Sequence, residues 1–325
     1  MAKNREKFIP SEDQMALWPE VSGNEVNGLG EAKIRRPSPI YWQKPELTPF
    51  GPLMKWYRDN QPVDEEYNQV REKAEKIITE KIGPKFPQRQ ENTAEKWTEL
   101  VKKVGLNNNG DVIGITRMRP EWVIETFEVP YKTVIMAGVS MNFDNLKRAP
   151  GRYSAMEVAR QYGRAHEVTN AMATWIHEQG WNAVSYGGSN EVPMLLIPPA
   201  LECGLGELGK HGSIINRIYG SAFRLGAVVT DMPLITDKAD EFGADEFCLI
   251  CKACENACPP EAISPAKQLV RGVKKWYVDF DKCLPYFNES IGCGICLAVC
   301  PYSRPGVADK LIKKYAKRGA WLSKE

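Results

Sequence analysis

Eight of the nine cysteines in this chain fall between residues 248 and 300, and their spacing constrains the fold of that segment more than any other feature of the sequence. The first run reads C-x2-C-x2-C-x3-C-P, from Cys248 through Cys251, Cys254 and Cys258 to Pro259. The second is an isolated Cys283 followed by C-x2-C-x3-C-P, with Cys293, Cys296, Cys300 and Pro301. A tight loop of this kind presents three thiolates to three corners of an iron–sulfur cube, and the fourth cysteine of each run reaches across to the other cube. On that logic Cys248, Cys251, Cys254 and Cys300 hold one [4Fe–4S] cluster, and Cys258, Cys283, Cys293 and Cys296 hold a second. The prolines stop each loop and turn the chain, and residues 261–280 supply a connecting hairpin. A disulfide scaffold would instead spread its cysteines over a small chain. With 325 residues this one can bury a core without such staples. Two zinc sites are the competing reading, but the three histidines, His166, His177 and His211, all lie outside the segment. Cys203 is left over and reads as a buried apolar thiol.

A net charge of +2 gives no electrostatic case for nucleic acid as a partner. No run approaches the roughly 18 apolar residues of a membrane-crossing helix. The opening residues, MAKNREKFIPSEDQMALWPE, lack the apolar core of a secretory leader and the paired arginines of a twin-arginine leader. The expectation is a cytoplasmic chain as written, or one associated with the outer membrane face if a twin-arginine leader has been removed.

Periodicity divides the chain into four parts. Residues 1–62 are rich in proline and interleaved aromatics (Trp18, Tyr41, Trp42, Trp56, Tyr57) and read as an extended arm anchored on the main body. Residues 63–240 mix helical and strand patterns. Tyr67, Val70, Ala74, Ile77 and Ile78 recur at helical spacing, and AEKWTELVKKVGL is a second, shorter helix. The clearest helix runs from Tyr153 to Trp181, with Val158, Tyr162, Ala165, Val168, Met172 and Ile176 on one face. Ser154 and Glu157 form a capping-box pattern at its start, and Gly180 ends it. GDVIGITRM, YKTVIMAGVSMNF, NAVSYG and FRLGAVVTD read as strands. The class is α+β, followed by a ferredoxin-like two-cluster domain over 241–310 and a tail over 311–325.

Two cubes in one domain make a wire for single electrons. About 240 residues precede it, more than electron transfer requires, so a further redox centre is expected there. The glycine-rich stretch from Cys203 to Leu234 begins CGLGELGKHG. It lacks the spacing of a dinucleotide fingerprint, and its GK is followed by His211, unlike a phosphate-binding loop. It offers close backbone approach to something large and flat.

The combination GLGELGKHG, YGSAFRLGAVVTDMPL, both cysteine runs and GCGICLAVCPYSRPG resembles the corrinoid-dependent reductive dehalogenases over roughly residues 110–310. VIMAGVSMNFDNLKRAPGRYS fits the same family. The resemblance implies a nitroreductase-like cobamide-binding domain ahead of the bacterial ferredoxin-like domain, with the cobamide base-off near two [4Fe–4S] clusters. It implies reduction of a carbon–halogen bond of an organohalide, with Tyr153 as proton donor and Lys210 as the basic residue beside it. A free tyrosine, of pKa ~10, is a poor acid at neutrality, and a neighbouring cation stabilises the tyrosinate left behind. Gly204, Gly206, Gly209, His211 and Ser213 are the expected cofactor contacts. Trp276, Tyr277 and Asn182 are the expected substrate pocket, with Trp42, Trp56 and Trp122 as further aromatic candidates. The implied partners are an organohalide, a low-potential electron donor and a membrane-anchor subunit, with no nucleic acid. Epoxyqueuosine reductase shares the same motifs and is the alternative, although here the second cluster run reads GCGICLAVCPY rather than GCDDCQ, and no YGRDYH-like aspartate stretch is present. A cobamide-dependent reductase of a non-halogenated substrate, or an electron-transfer protein with a degenerate front domain, also fits.

Overall fold

The computed structural model describes residues 7–61, 64–187 and 192–314. The first residues of the arm, its end at residue 62 and most of the expected tail lie outside the described residues.

The β-branched runs form one antiparallel sheet from β1 (Val112–Arg117), β2 (Thr133–Ser140), β3 (Ala183–Tyr186) and β6 (Phe223–Thr230), in the order β1-β2-β6-β3, while β4 (Glu207–Leu208) and β5 (Ile214–Ile215) pair with each other apart from it. Strand residues alternate between faces, and the two faces have different partners. Ile135, Ala137, Val139 and Val228 pack against Trp97 and Val101 of α3 (Ala94–Asn107) and against Ala165, Val168, Met172 and Ile176 of α4 (Arg152–Glu178). Val134, Met136, Leu225, Ala227 and Val229 face the other way, onto Met194 and Ala200 and onto Leu205 and Ile214 of the glycine-rich region. Both faces being covered explains why β2 reads as an unbroken apolar run. Gly226 lets α4 lie close on the sheet, since a methyl group there would come within 2.8 Å of Thr169.

α4 starts differently from the expected capping box. Gly151 is its N-cap, Ser154 lies inside the first turn, and the Ser154 hydroxyl donates to the Gly151 carbonyl at 2.8 Å. Glu157 is turned outward to the preceding turn, accepting from the Asn142 N–H at 2.7 Å and from Asn145 Nδ2 at 3.1 Å. A buried carboxylate that bolts two elements together has replaced a local cap. Gly180 does end the helix, with φ of 77° and its N–H on the His177 carbonyl.

The cysteine-rich segment is built from α5 (Ala244–Ile250), α6 (Ala253–Ala257), the hairpin β7 (Gln268–Val270) with β8 (Val273–Lys275), α7 (Phe280–Glu289) and α8 (Ile295–Ala298). Arg271 and Gly272 make its two-residue turn, both at positive φ, as a twisted hairpin requires.

The arm is not extended throughout. It contains α1 (Gly51–Asp59) and shorter helical turns at Glu12–Met15 and Gly23–Val26. It grips the cysteine-rich part. Gln14 donates to Glu289, Asn288 donates to Gln14, and Tyr41 donates to Asn288 at 2.6 Å. Phe50, Leu53 and Met54 pack on Leu284. α2 (Glu65–Ile78), capped by the Asp64 carboxylate on the Tyr67 N–H, lies on α4. Among the described residues no helix is long and apolar enough to cross a membrane.

Candidate functional site

A cavity of about 1040 Å³ opens where α4, the arm, the glycine-rich region and the cysteine-rich segment meet. It exceeds the ~300–1,000 Å³ of ordinary small-molecule pockets. Trp42, Tyr57 and Phe287 form one aromatic wall. Tyr57 stacks on Phe287 with centroids 5.5 Å apart, and Trp42 meets both edge-on. The hairpin contributes Arg271, Lys275, Trp276 and Tyr277, and Trp122 closes another side. Cations outnumber acids on the wall: Arg119, Arg224, Arg271 and Lys275 line it, against Glu121. Burial, and then the neighbouring Arg271, push the Lys275 ammonium down to about 8.

The eight cysteines of the segment stand as free thiols in two sets. Cys248 senses Cys300, Cys254 and Cys251 as neighbours, whereas Cys283 senses Cys293 and Cys258. Cys296 feels Cys283 and Cys293, then Cys254 of the other set and Cys258. Burial pushes the Cys248, Cys254 and Cys283 thiols up to about 12, with like-charged neighbours adding to it. Four thiols gathered in a place that disfavours thiolate need a polycationic core to ionise them. That is the chemistry an iron–sulfur cube provides. The second set, Cys258, Cys283, Cys293 and Cys296, lies on the cavity wall, while Cys248 and Cys300 sit in an inner apolar core with Trp276 and Tyr302. Cys203 is buried apart from both sets, its thiol pushed up to about 12 by burial and directed at the Ala200 carbonyl.

Of the glycine-rich stretch, Leu208, His211, Gly212, Ser213 and Arg224 line the cavity, and Gly204, Gly206 and Gly209 do not. Gly204, Gly206 and Gly209 are small for internal reasons, because a methyl group there would come within 2.6 Å of the Lys238 carbonyl, 2.2 Å of the Ile215 carbonyl and 2.6 Å of the His211 ring respectively. Close backbone approach is therefore real at these three positions, but it is to the chain itself. His211 is 6% exposed, and burial pushes it down to about 4, so the ring is neutral. Its Nδ1 accepts from the Ser213 N–H at 3.2 Å, which leaves Nε2 to donate to Ser221 Oγ at 2.8 Å. Ser221 lies in turn beside the Cys300 thiol and favours its thiolate.

The expected pairing of Tyr153 with Lys210 is not made. Tyr153 is absent from the cavity wall, its ring covered by the Arg148 guanidinium at 3.5 Å, with Arg152 at 5.3 Å. Lys210 is 1% exposed and belongs to the inner cysteine set. Its N–H donates to Cys248 Sγ at 3.4 Å, its Nζ lies 3.2 Å from Glu255 Oε2, and its ammonium stands 5.2 Å from the Trp276 ring centre. Asn182 is also elsewhere, held by the Asp231 carboxylate at 2.7 and 2.8 Å and by Lys85 at the far end of the sheet. Trp276 and Tyr277 do line the cavity. Trp276 is clasped between the ammonium groups of Lys210 and Lys267, and its Nε1 donates to Asp245.

Of the two tyrosines on α4, the one that faces the cavity is Tyr162, one of the apolar-face positions of that helix. Arg224, next on the wall, places its guanidinium 5.6 Å from the Tyr162 ring centre. Arg224 Nε is buried and has no hydrogen-bond partner within the protein. Tyr57 and Tyr67 border the same corner. Burial raises Tyr57 well above the usual phenol range, and the Tyr67 and Tyr162 hydroxyls add to the rise. The signal that could have found Arg224 is that it is the one charged residue of the strand Phe223–Thr230.

Residues 247–304 match the family described as 4Fe-4S dicluster domain. An alignment of 258 positions that covers 65% of the chain gives 33% identity to a tetrachloroethene reductive dehalogenase of Sulfurospirillum multivorans, and one of 208 positions that covers 60% gives 30% identity to one of Desulfitobacterium hafniense. The chain spans 51% and 37% of those two relatives' own lengths. Epoxyqueuosine reductase of Escherichia coli is 33% identical over a shorter stretch of 132 residues. Among solved structures, a catabolic reductive dehalogenase in complex with 3-bromo-4-hydroxybenzoic acid superposes with a TM-score of 0.71 at 22% identity, covering 80% of this chain and 40% of that one. The chain is thus a relative of the reductive dehalogenases, and more distantly of epoxyqueuosine reductase, and it shares the dehalogenase fold.

Proposed function

We propose that this chain is the catalytic core of a cobamide-dependent reductive dehalogenase, with a nitroreductase-like cobamide-binding part ahead of the ferredoxin-like part. The overall change is R–X + 2e⁻ + H⁺ → R–H + X⁻, with electrons from a low-potential one-electron donor. The observation that carries this reading is the junction itself: four of the eight clustered cysteines lie on the wall of a cavity large enough for a corrin ring.

The wall suits such a ligand in three ways. Its surplus of cations matches a phosphodiester-bearing cofactor and the release of a halide anion. The orphan Arg224 Nε needs a polar partner that the protein does not supply. Both nitrogens of His211 are hydrogen-bonded within the chain, so this side chain would shape the floor under the group and would not ligate it. When bound, the corrin supplies the strongly reducing two-electron chemistry and the cubes supply the electrons one at a time. Everything else falls to the chain. Cys248, Cys251, Cys254 and Cys300 hold the inner cube, and Cys258, Cys283, Cys293 and Cys296 hold the one on the cavity wall. His211, Gly212 and Ser213 give the floor its shape. Trp42, Tyr57 and Phe287 exclude water and offer an apolar face to an organohalide. Tyr162 carries the proton, and the Arg224 cation stabilises the phenolate it leaves.

Anaerobic reconstitution with iron, sulfide and cobalamin tests this reading. About eight irons and one cobalt per chain, with halide release from chlorinated or brominated aromatics and alkenes, are expected. A protein that takes up iron but no corrin is an electron carrier, and the proposal fails. Turnover of an epoxyqueuosine-containing RNA stem loop without any organohalide activity would favour the tRNA-modifying alternative.

A further inference from the structure

We propose that Lys210 fixes where a single electron rests, by making the cluster of Cys248, Cys251, Cys254 and Cys300 easier to reduce than the one on the cavity wall. The inference rests on the two-cluster reading above and extends it to an order between the clusters. Lys210 acts through the inner cluster as a positioning residue and touches no substrate.

The two thiol sets differ in the charges around them. Facing the inner set is one full cation. The Lys210 ammonium is almost wholly shielded from water, its partner Glu255 follows Cys254 directly in the chain, and it favours the Cys254 thiolate. The Lys210 N–H and the Ser221 side chain add dipoles aimed at Cys248 and Cys300. Facing the outer set are acids: Asp279 beside Cys283 and Glu261 beside Cys258, each disfavouring negative charge there. Outer-set dipoles reach Cys258 and Cys293 from nearby backbone N–H groups, and the one cation adjacent in the chain to an outer-set cysteine, Lys282, is 58% exposed and screened by water, 3.9 Å from Asp279.

Glu255 does not cancel the lysine. Its side chain is 22% exposed against 1% for Lys210, so water screens the carboxylate more than the ammonium. Reduction adds one electron to a cube already held by four thiolates, without a proton or a new bond. A buried cation stabilises that added charge and raises the potential. The electron comes from the external low-potential donor, rests on the inner cube, and moves on to the cavity wall when a second one follows. A reaction that consumes two electrons from a one-electron donor gains from such a store.

Redox titration of the anaerobic holoprotein, followed by electron paramagnetic resonance, tests the assignment in wild type, Lys210→Met and Glu255→Gln. In Lys210→Met one of the two reduction steps should fall, with the ratio of reduced to oxidised cluster at fixed ambient potential dropping about tenfold, or ~59 mV for one electron. The other step should hold its place. Glu255→Gln should move the same step upward. Opposite signs from the two partners of one ion pair are what charge produces and what loosened packing does not. No movement, movement of both variants in one direction, or equal movement of both steps overturns the inference. If Lys210→Met does not accumulate as folded protein, the less buried partner decides alone: a rise in Glu255→Gln supports the proposal and no rise refutes it. Iron and sulfide near zero in wild-type protein would remove the two-cluster reading itself, and the inference with it.

Discussion

Replacing Tyr162 with Phe removes one hydroxyl from the cavity and leaves the ring in place beside Arg224. Two magnitudes bear on the outcome. A positioned general acid contributes roughly 10²–10⁴ in rate, about 2.7–5.4 kcal/mol of barrier. Removing one group that stabilises a developing oxyanion costs roughly 10²–10³ in rate, and the Arg224 guanidinium stands 5.6 Å from the Tyr162 ring centre. Tyr162→Phe should therefore lose 10²–10⁴-fold in turnover and Arg224→Met about 100-fold. The double variant should be no worse than Tyr162→Phe, since the cation has nothing to stabilise once the hydroxyl is gone. The assay is halide release per bound cobalt under single-turnover conditions, with iron and corrin content measured for each variant. Tyr153→Phe is the internal control: its ring lies under Arg148, off the cavity wall, and turnover should stay within about twofold of wild type. Loss in Tyr153→Phe equal to that in Tyr162→Phe, or Tyr162→Phe within threefold of wild type, would refute the reasoning.

Two further perturbations test the cysteine sets and the buried histidine. Cys254→Ala removes one ligand of the inner set and should halve the iron, to about four atoms per chain, while leaving the cavity-wall signal intact; eight irons after the change would break the assignment. His211 is held at about 4, below the ~6.5 of an unfolded histidine, so the folded state binds fewer protons than the unfolded one. Its contribution is complete above pH 6.5 and is lost as the pH falls toward 4, amounting to about 2 kcal/mol between pH 7.5 and 5. Urea midpoints at those two pH values should show that loss in wild type, and a smaller one in His211→Gln, whose side chain does not titrate.

The cluster segment was legible because the order of ligands around a loop is a local property, carried by spacing and by the two prolines. The strands and helices of the sheet layer were legible for a similar reason, since each face of β2 and α4 repeats at its own period. The acid–base pair was not. Tyr153 and Tyr162 are nine residues apart on one helix, and nine steps of 100° place them on opposite faces. Which face meets the cavity depends on how α4 lies on the sheet and on what the arm and α7 build over it, and no spacing within the helix records that. Lys210 and His211 make the same point at closer range. Adjacent in the glycine-rich turn, they part company, the lysine to the inner thiols and the histidine to the cavity floor.

The same reasoning explains why the arm looked extended. Its prolines and aromatics carry no period, because each anchor answers to a different partner: Gln14 to Glu289, Asn24 to Asp279, Tyr41 to Asn288 and Phe50 to Phe280. All four partners lie on α7 or at its N-cap, and α7 also carries Cys283 and Phe287, both on the cavity wall. The arm thus holds one helix that bears at once a proposed cluster ligand and part of the aromatic wall. The contacts tie these positions together: a shift of α7 would move the Cys283 thiol and the Phe287 ring in a single step. An arm with that task needs several separate fixed points on one helix more than it needs regular structure of its own, and several fixed points are what its side chains provide.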